Sequence, residues 1–192
     1  MFLIVGLGNP EEKYKNTRHN VGFTILNEFK KIHGFSDWQF KNKFKAEISD
    51  GILSSKKIIL VKPQTFMNKS GKAVKALTNF YNTTRTVLVV VHDDLDLELG
   101  KMKIVKNRGS AGHKGVESII GELGTKNFVR FRLGIKPANK EQETMNNIDK
   151  FVLQRFTKEE SKILKEVIKK TCHAIEMAIK QDIEKTMSGF NK

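Results

Sequence analysis

Residues 87–91 read Val-Leu-Val-Val-Val, five apolar residues of which four are β-branched. Such a run has no polar face to turn toward water, so a strand made of it must be covered on both sides, as a central strand of a parallel sheet is. Residues 2–5, Phe-Leu-Ile-Val, repeat the pattern, and Gly6-Leu7-Gly8-Asn9-Pro10 closes them with a turn. Two strands buried on both faces need helices to cover them. The chain alternates strand-like runs with helix-period segments, which predicts an α/β sandwich.

The remaining elements follow from periodicity and punctuation. Val21, Ile25, Leu26, Phe29 and Ile32 fall at helical spacing over residues 21–33, with Gly34 as the stop. Residues 38–61 alternate loosely and are cut by Ser49-Asp50-Gly51 and Ser54-Ser55-Lys56-Lys57, as in a meander of short strands whose last member is 58–61. A second helix is expected at about 70–81 with Val74, Leu77, Phe80 and Tyr81 inward. A strand at 102–105 precedes a helix at 115–123, striped by Val116, Ile119, Ile120 and Leu123, and a strand at 129–135. In that strand Val129, Phe131 and Leu133 alternate with Arg130 and Arg132, predicting one buried and one basic face. Residues 136–149 are polar and read as a loop. Thr157 and Glu160 form a capping-box signature opening a long C-terminal helix, with apolar positions at 163, 164, 167, 168, 175, 178, 179 and 183. The expected whole is one domain over residues 1–192, a three-layer α/β sandwich around a twisted, mixed, mostly parallel sheet flanked by helices.

Composition narrows the partners. Against 21 acidic residues stand 35 Lys and Arg, a formal charge of +14 dispersed along 192 residues, and such a surface attracts polyanions, nucleic acid foremost. No apolar run approaches a membrane span, and Met1-Phe2-Leu3-Ile4-Val5-Gly6 lacks the basic start and apolar length of a secretory signal. The single Cys172 can neither close an internal disulfide nor build a thiolate cage. A cytoplasmic location with no membrane partner is expected.

Chemistry in open α/β sheets gathers at the carboxyl ends of the strands. There the sequence places Asn9 and Thr17-Arg18-His19-Asn20, then residues 62–68 (KPQTFMN), then His92-Asp93-Asp94-Leu95-Asp96. Gly6-x-Gly8 fails as a dinucleotide fingerprint because residue 11 is Glu and Pro10 interrupts the loop, and no phosphate-binding Gly-x4-Gly-Lys-Ser/Thr occurs. His92, Asp93, Asp94 and His113 are metal-ligand types without a recognised ligand spacing. What remains is a histidine base with a carboxylate partner: His19 in a polar loop, its second nitrogen held by an aspartate such as Asp93. Taken alone, His19 is more often a loop-packing histidine and Asp93, Asp94 and Asp96 are turn caps. Spacing does not separate these readings.

Five blocks taken together do more. FLIVGLGNPEEKYKNTRHNVGF (2–23), KPQTFMNKSGKAV (62–74), HDDLDLELG (92–100), GSAGHKG (109–115) and RFRLGI (130–135) resemble, in order and spacing, the bacterial-type peptidyl-tRNA hydrolases. The resemblance spans about residues 2–137 and implies a monomeric, cofactor-independent and metal-free esterase that cleaves the bond between a peptide's C-terminus and the tRNA 3′-terminal ribose, recycling tRNA during translation. It implies His19 as general base, Asp93 as its partner, and Asn9 and Asn68 as substrate and water ligands, with Tyr14 and Met67 lining the site. Lys114 stands where the family's loop carries a substrate-contacting Asn, and lysine only donates. For tRNA phosphate the resemblance points to Lys103, Lys106, Arg108, Arg130 and Arg132, contacts that position RNA without reading its bases. The competing expectations are a noncatalytic RNA-binding protein on the same fold, motivated by Lys114 and the charge, and a metal-dependent phosphoesterase at His92 and the aspartates.

Overall fold

A computed structural model of the chain describes residues 1–81, 86–137 and 147–191. Among these residues seven strands form one sheet: β1 (Phe2–Gly6), β2 (Gln39–Lys41), β3 (Ala46–Leu53), β4 (Lys56–Pro63), β5 (Val87–Glu98), β6 (Met102–Lys106) and β7 (Val129–Lys136), in the order β2-β3-β4-β1-β5-β7-β6. The two sequences that read as buried lie side by side at its centre, β1 pairing in parallel with β4 and β5, and β5 in parallel with β7. Both flanks are antiparallel, β2-β3-β4 on one side and β7-β6 on the other. The mixed sheet is therefore parallel where it must be covered twice.

Helices α1 (Val21–His33) and α5 (Lys158–Lys180) cover one face, where Ile4, Val89 and Phe131 meet Ile25, Phe29 and Ile175. The shorter α2 (Ser70–Phe80) and α3 (Lys114–Leu123) cover the other, closing over Leu3, Val5, Val61 and Val90. Each aliphatic side chain so buried contributes roughly 1.5–3 kcal/mol relative to exposure. The Thr157–Glu160 capping box opens α5 with both reciprocal hydrogen bonds in place, and Gly34, at φ 62°, ends α1.

Several expectations need correction. Ile32 and Phe80 are exposed at 53% and 58%, and Ile163 is exposed too, because each sits at the edge of its helix's apolar stripe. The stripe expected to continue through residue 183 breaks at Asp182, which accepts the backbone N–H groups of Glu184 and Lys185 and starts a separate helix, α6 (Ile183–Phe190). Strand β5 does not stop at Val91. It pairs with β7 through His92↔Arg132, Asp93↔Leu133 and Asp94↔Gly134, so these polar residues belong to the strand itself. Gly134 permits this, since a Cβ there would lie 1.9 Å from the Glu98 carbonyl oxygen. The loop expected at 136–149 lies mostly outside the described residues, but its end forms a short helix, α4 (Ile148–Val152), N-capped by Asn147.

Candidate active site

The site is built where β1 hands the chain to α1. Gly6 and Gly22 touch: a Cβ at Gly6 would meet the Gly22 carbonyl oxygen at 2.5 Å. The intervening loop is folded tightly over the carboxyl end of the sheet, with Leu7 N–H bonded to the Val91 carbonyl at 2.9 Å. A 3-10 turn at Arg18–Asn20 then leads directly into α1 and presents His19.

Each neighbour of His19 is fastened. Arg18 is buried, with its guanidinium on both Glu160 oxygens at 2.9 and 2.7 Å and on the Ile135 carbonyl at 3.3 Å, between the rings of Phe151 and Phe156 at 4.4 and 4.8 Å. Its backbone N–H donates to the Gln154 carbonyl. Asn20 is locked to Asn9 by a reciprocal pair, Asn9 N–H to Asn20 Oδ1 and Asn20 Nδ2 to the Asn9 carbonyl, both 2.9 Å. Asn9 Oδ1 in turn accepts the Met67 N–H at 2.8 Å, tying the first loop to the segment after β4.

Asp93, fully buried on β5, faces His19. The His19 Nδ1 lies 2.9 and 3.0 Å from the two carboxylate oxygens, and His113 Nε2 lies 2.9 Å from Oδ1. His113 is the N-cap of α3, and its Nδ1 accepts the N–H groups of Gly115 and Val116 at 3.1 and 3.3 Å. Its proton therefore sits on Nε2 and is donated to Asp93. With its own Nδ1–H donated to the same carboxylate, His19 keeps the lone pair of Nε2 for chemistry.

The electrostatics follow. Burial lowers the His19 pKa, but the Asp93 charge and hydrogen bond outweigh it, and the net shift is upward, with Lys114 opposing and Asp149 assisting. Burial pushes Asp93 up, yet the two imidazoles hold its carboxyl well below the ordinary carboxylate range. His92 is driven far below the usual histidine value, first by burial and then by His113.

The four residues of metal-ligand type in the sequence, His92, Asp93, Asp94 and His113, do not converge as one donor set. His92 Nδ1 lies 2.6 Å from the Asp93 carbonyl, and Asp94 is paired with Arg132. Among the described residues the ligand-type cluster is instead His19, Asp93 and His113, with atoms within 4.8 Å of one another. Those atoms already hydrogen-bond to each other, and His113 Nε2 carries a proton, so the donor set is arranged for proton chemistry and does not fit a resident cation.

The other sequence-derived residues separate. Met67 is buried and packs behind the site, while Asn68 is exposed on the neighbouring 3-10 turn. Tyr14 is half-buried, with the Lys13 ammonium over its ring at 4.9 Å. Lys114, the first residue of α3, spans a cavity of about 190 Å3 lined by His19, Asp93, Leu95 and Val152, and pairs with Asp149 of α4 at 2.7 and 2.9 Å. Lys103, Lys106 and Arg108 are exposed at and beyond β6, with Lys106 3.9 Å from Glu184. Arg130 contradicts the expected basic face: it is 1% exposed, set in the sheet between Val90 of β5 and Val105 of β6. Arg132 is half-buried against Asp94 and Asp96. Sequence reasoning missed His113 as the second partner of Asp93, Asn20 as the clamp on Asn9, and the Arg18–Glu160 brace. Glu160 carried a visible signal only as a cap.

Fold and site together define an α/β protein with a buried carboxylate between two histidines, one of them free to act on a solvent molecule. The profile of the family described as peptidyl-tRNA hydrolase matches residues 3–192. Curated relatives named peptidyl-tRNA hydrolase include those of Clostridium botulinum, 39% identical over all of this chain and 96% of the relative, and Carboxydothermus hydrogenoformans, 42% identical over all of this chain and 99% of the relative. The crystal structure of the peptidyl-tRNA hydrolase from Acinetobacter baumannii is 27% identical and superposes with a TM-score of 0.88, covering all of this chain and 94% of that one. The chain belongs to the peptidyl-tRNA hydrolase family.

Proposed function

We propose that this chain hydrolyses the ester between peptide and tRNA with His19 as the general base. His19 Nε2 takes a proton from water as the water oxygen attacks the ester carbonyl. The tetrahedral intermediate then collapses, and the ribose oxygen leaves with the proton from the imidazolium, regenerating neutral His19. Asp93 holds the tautomer and stabilises the imidazolium, and its second hydrogen bond, from His113, keeps the carboxylate aimed. The observation that carries this reading is the His19 Nδ1–Asp93 contact at 2.9 Å, buried, with Nε2 left over.

Asn9, fixed by Asn20 and Met67, and Asn68 hold the peptide end of the substrate, with Tyr14, Met67 and Lys114 around them. An amide both donates and accepts, which suits a peptide carbonyl and N–H, and a free α-ammonium would lose its solvation there. Lys103, Lys106 and Arg108 carry the contacts to tRNA phosphate, with Arg132 beside them. The enzyme acts as a monomer in the cytoplasm, where its substrate arises. No described helix is long and apolar enough to cross a membrane.

The test is release of an N-acetylaminoacyl group from tRNA by wild type and His19→Ala, with and without EDTA, beside the unacetylated ester. Release confined to the acetylated ester, insensitive to EDTA and lost in His19→Ala, is the expected result. Tight tRNA binding without cleavage would instead mark a noncatalytic RNA-binding protein, and loss with chelator a metal-dependent enzyme.

A further inference from the structure

The Lys114 ammonium lies 2.7 and 2.9 Å from the two carboxylate oxygens of Asp149, and the pair joins the start of α3 to the first turn of α4 beside the cavity that holds His19. The two side chains are 57% and 74% exposed. An ion pair so open to water holds weakly, and either partner can be exchanged for a better one. The other charges of the cavity are already placed. Of its four carboxylates, Asp93 lies between His19 and His113, and Asp94 and Asp96 both face Arg132. Among the described residues Asp149 is the ion-pair partner of Lys114, and Lys114 is the one ammonium in the lining.

The reaction proposed above brings an anion to this place. The leaving ribose oxygen takes its proton from His19, so the terminal ribose lies against the imidazole, and the phosphodiester on its 5′ carbon is one sugar away. On the other side of the ester, a peptide with a blocked amine carries no charge that every substrate shares. An ammonium, which only donates, is matched by that phosphate and by no other group near the ester that is common to all substrates. Position agrees with charge. Arg132, which holds Asp94 and Asp96 of the lining, stands opposite Lys103 in the register of β7 with β6, so the cavity adjoins the basic edge of the sheet.

We propose that Lys114 binds the last phosphodiester of the tRNA strand, and that Asp149 occupies the place of that phosphate while the site is empty. The inference rests on the hydrolase reading above and names the substrate group that Lys114 recognises. Asp149 is then an internal competitor. A substrate carrying the phosphate replaces an exposed ion pair with a charge-assisted hydrogen bond, whereas a ligand without it leaves Lys114 on Asp149.

The experiment compares N-acetylaminoacyl-tRNA with the same ester whose last phosphodiester is replaced by a neutral methylphosphonate, and reads the ratio of their kcat/KM values for wild type, Lys114→Gln and Asp149→Asn. Wild type is expected to prefer the natural ester about threefold to tenfold. In Lys114→Gln the ratio should fall to within about twofold of unity, and in Asp149→Asn it should widen by a further factor of about two to five, because the competing carboxylate is gone. Both esters are read on one preparation, so the folded fraction and the influence of either charge on His19 cancel from the ratio. A wild-type ratio near unity, or a preference that survives in Lys114→Gln, would overturn the assignment of the phosphate. A ratio that narrows in Asp149→Asn would show that Asp149 holds the lysine in place for substrate and would overturn the competition. If wild type cleaves neither ester, the hydrolase reading falls and this inference with it, whereas equal cleavage of both removes the inference alone.

Discussion

The carboxyl end of β1 and β5 and the edge formed by β6 are built on opposite principles. At the first, the polar groups packed around His19 each have their place fixed by at least one neighbour: His19 on Asp93, His113 on Asp93 and the α3 backbone, Asn9 on Asn20, Arg18 on Glu160. At the second, Lys103 and Arg108 stand in solvent. Proton transfer needs a low dielectric and a set geometry, in which a charge a few ångströms away still matters. Attraction of a polyanion needs only charge density, which water and salt attenuate without destroying. The difference teaches which substitutions should act through geometry and which through ionic strength.

The comparison can be broken at the Arg18–Glu160 brace. Glu160→Ala leaves a buried guanidinium without its carboxylate, and breaking a buried pair in this way costs about 3–5 kcal/mol of stability. Urea unfolding should read that loss, and at temperatures where the variant remains folded, turnover should fall because the His19 turn is no longer held from behind. A variant of wild-type stability would mean that the brace contributes nothing. The edge should respond differently. Lys103→Ala with Arg108→Ala should weaken tRNA binding about equally for different tRNAs, lower the dependence of log Kd on log salt by about one unit per lost phosphate contact, and leave the stability within about 0.5 kcal/mol. An unchanged salt slope would move the phosphate contacts elsewhere.

How much of this was legible in the sequence differs between the same two regions. The central strands were plain because Val87 to Val91 admit no other environment, and the capping box of Thr157 and Glu160 marked the start of α5 to the residue. The continuation of β5 through Glu98 was hidden, because polar residues inside a strand look like a turn until the partner strand with its Gly134 is in view. His19 and Asp93 were named as a pair from residue types and family resemblance, and the structure places them in contact across 74 positions of sequence. His113 was not named as their partner, since its Nε2 reaches Asp93 only once α3 has used its Nδ1 as a cap. At the edge, alternation in β7 led to a false reading of Arg130. Period-two patterning tells which face a residue takes, not whether that face is covered. The departure at Lys114 was legible as a substitution, but its pairing with Asp149 depends on α4, which polar residues 136–149 gave no reason to expect.

The account's central claim is that the charge of Asp93 sets both the strength and the protonation of His19. The direct measurement is the pH dependence of kcat/KM on N-acetylaminoacyl-tRNA for wild type and Asp93→Asn. A base must be neutral to act, and the His19 pKa is raised above its ordinary value of 6.5, so wild-type activity should fall on acidification through a midpoint above that value. Removing the carboxylate charge should move the midpoint to lower pH and cut the plateau by about 10²-fold to 10⁴-fold, the range expected when a base loses its support. A wild-type plateau and midpoint retained in Asp93→Asn would contradict the claim.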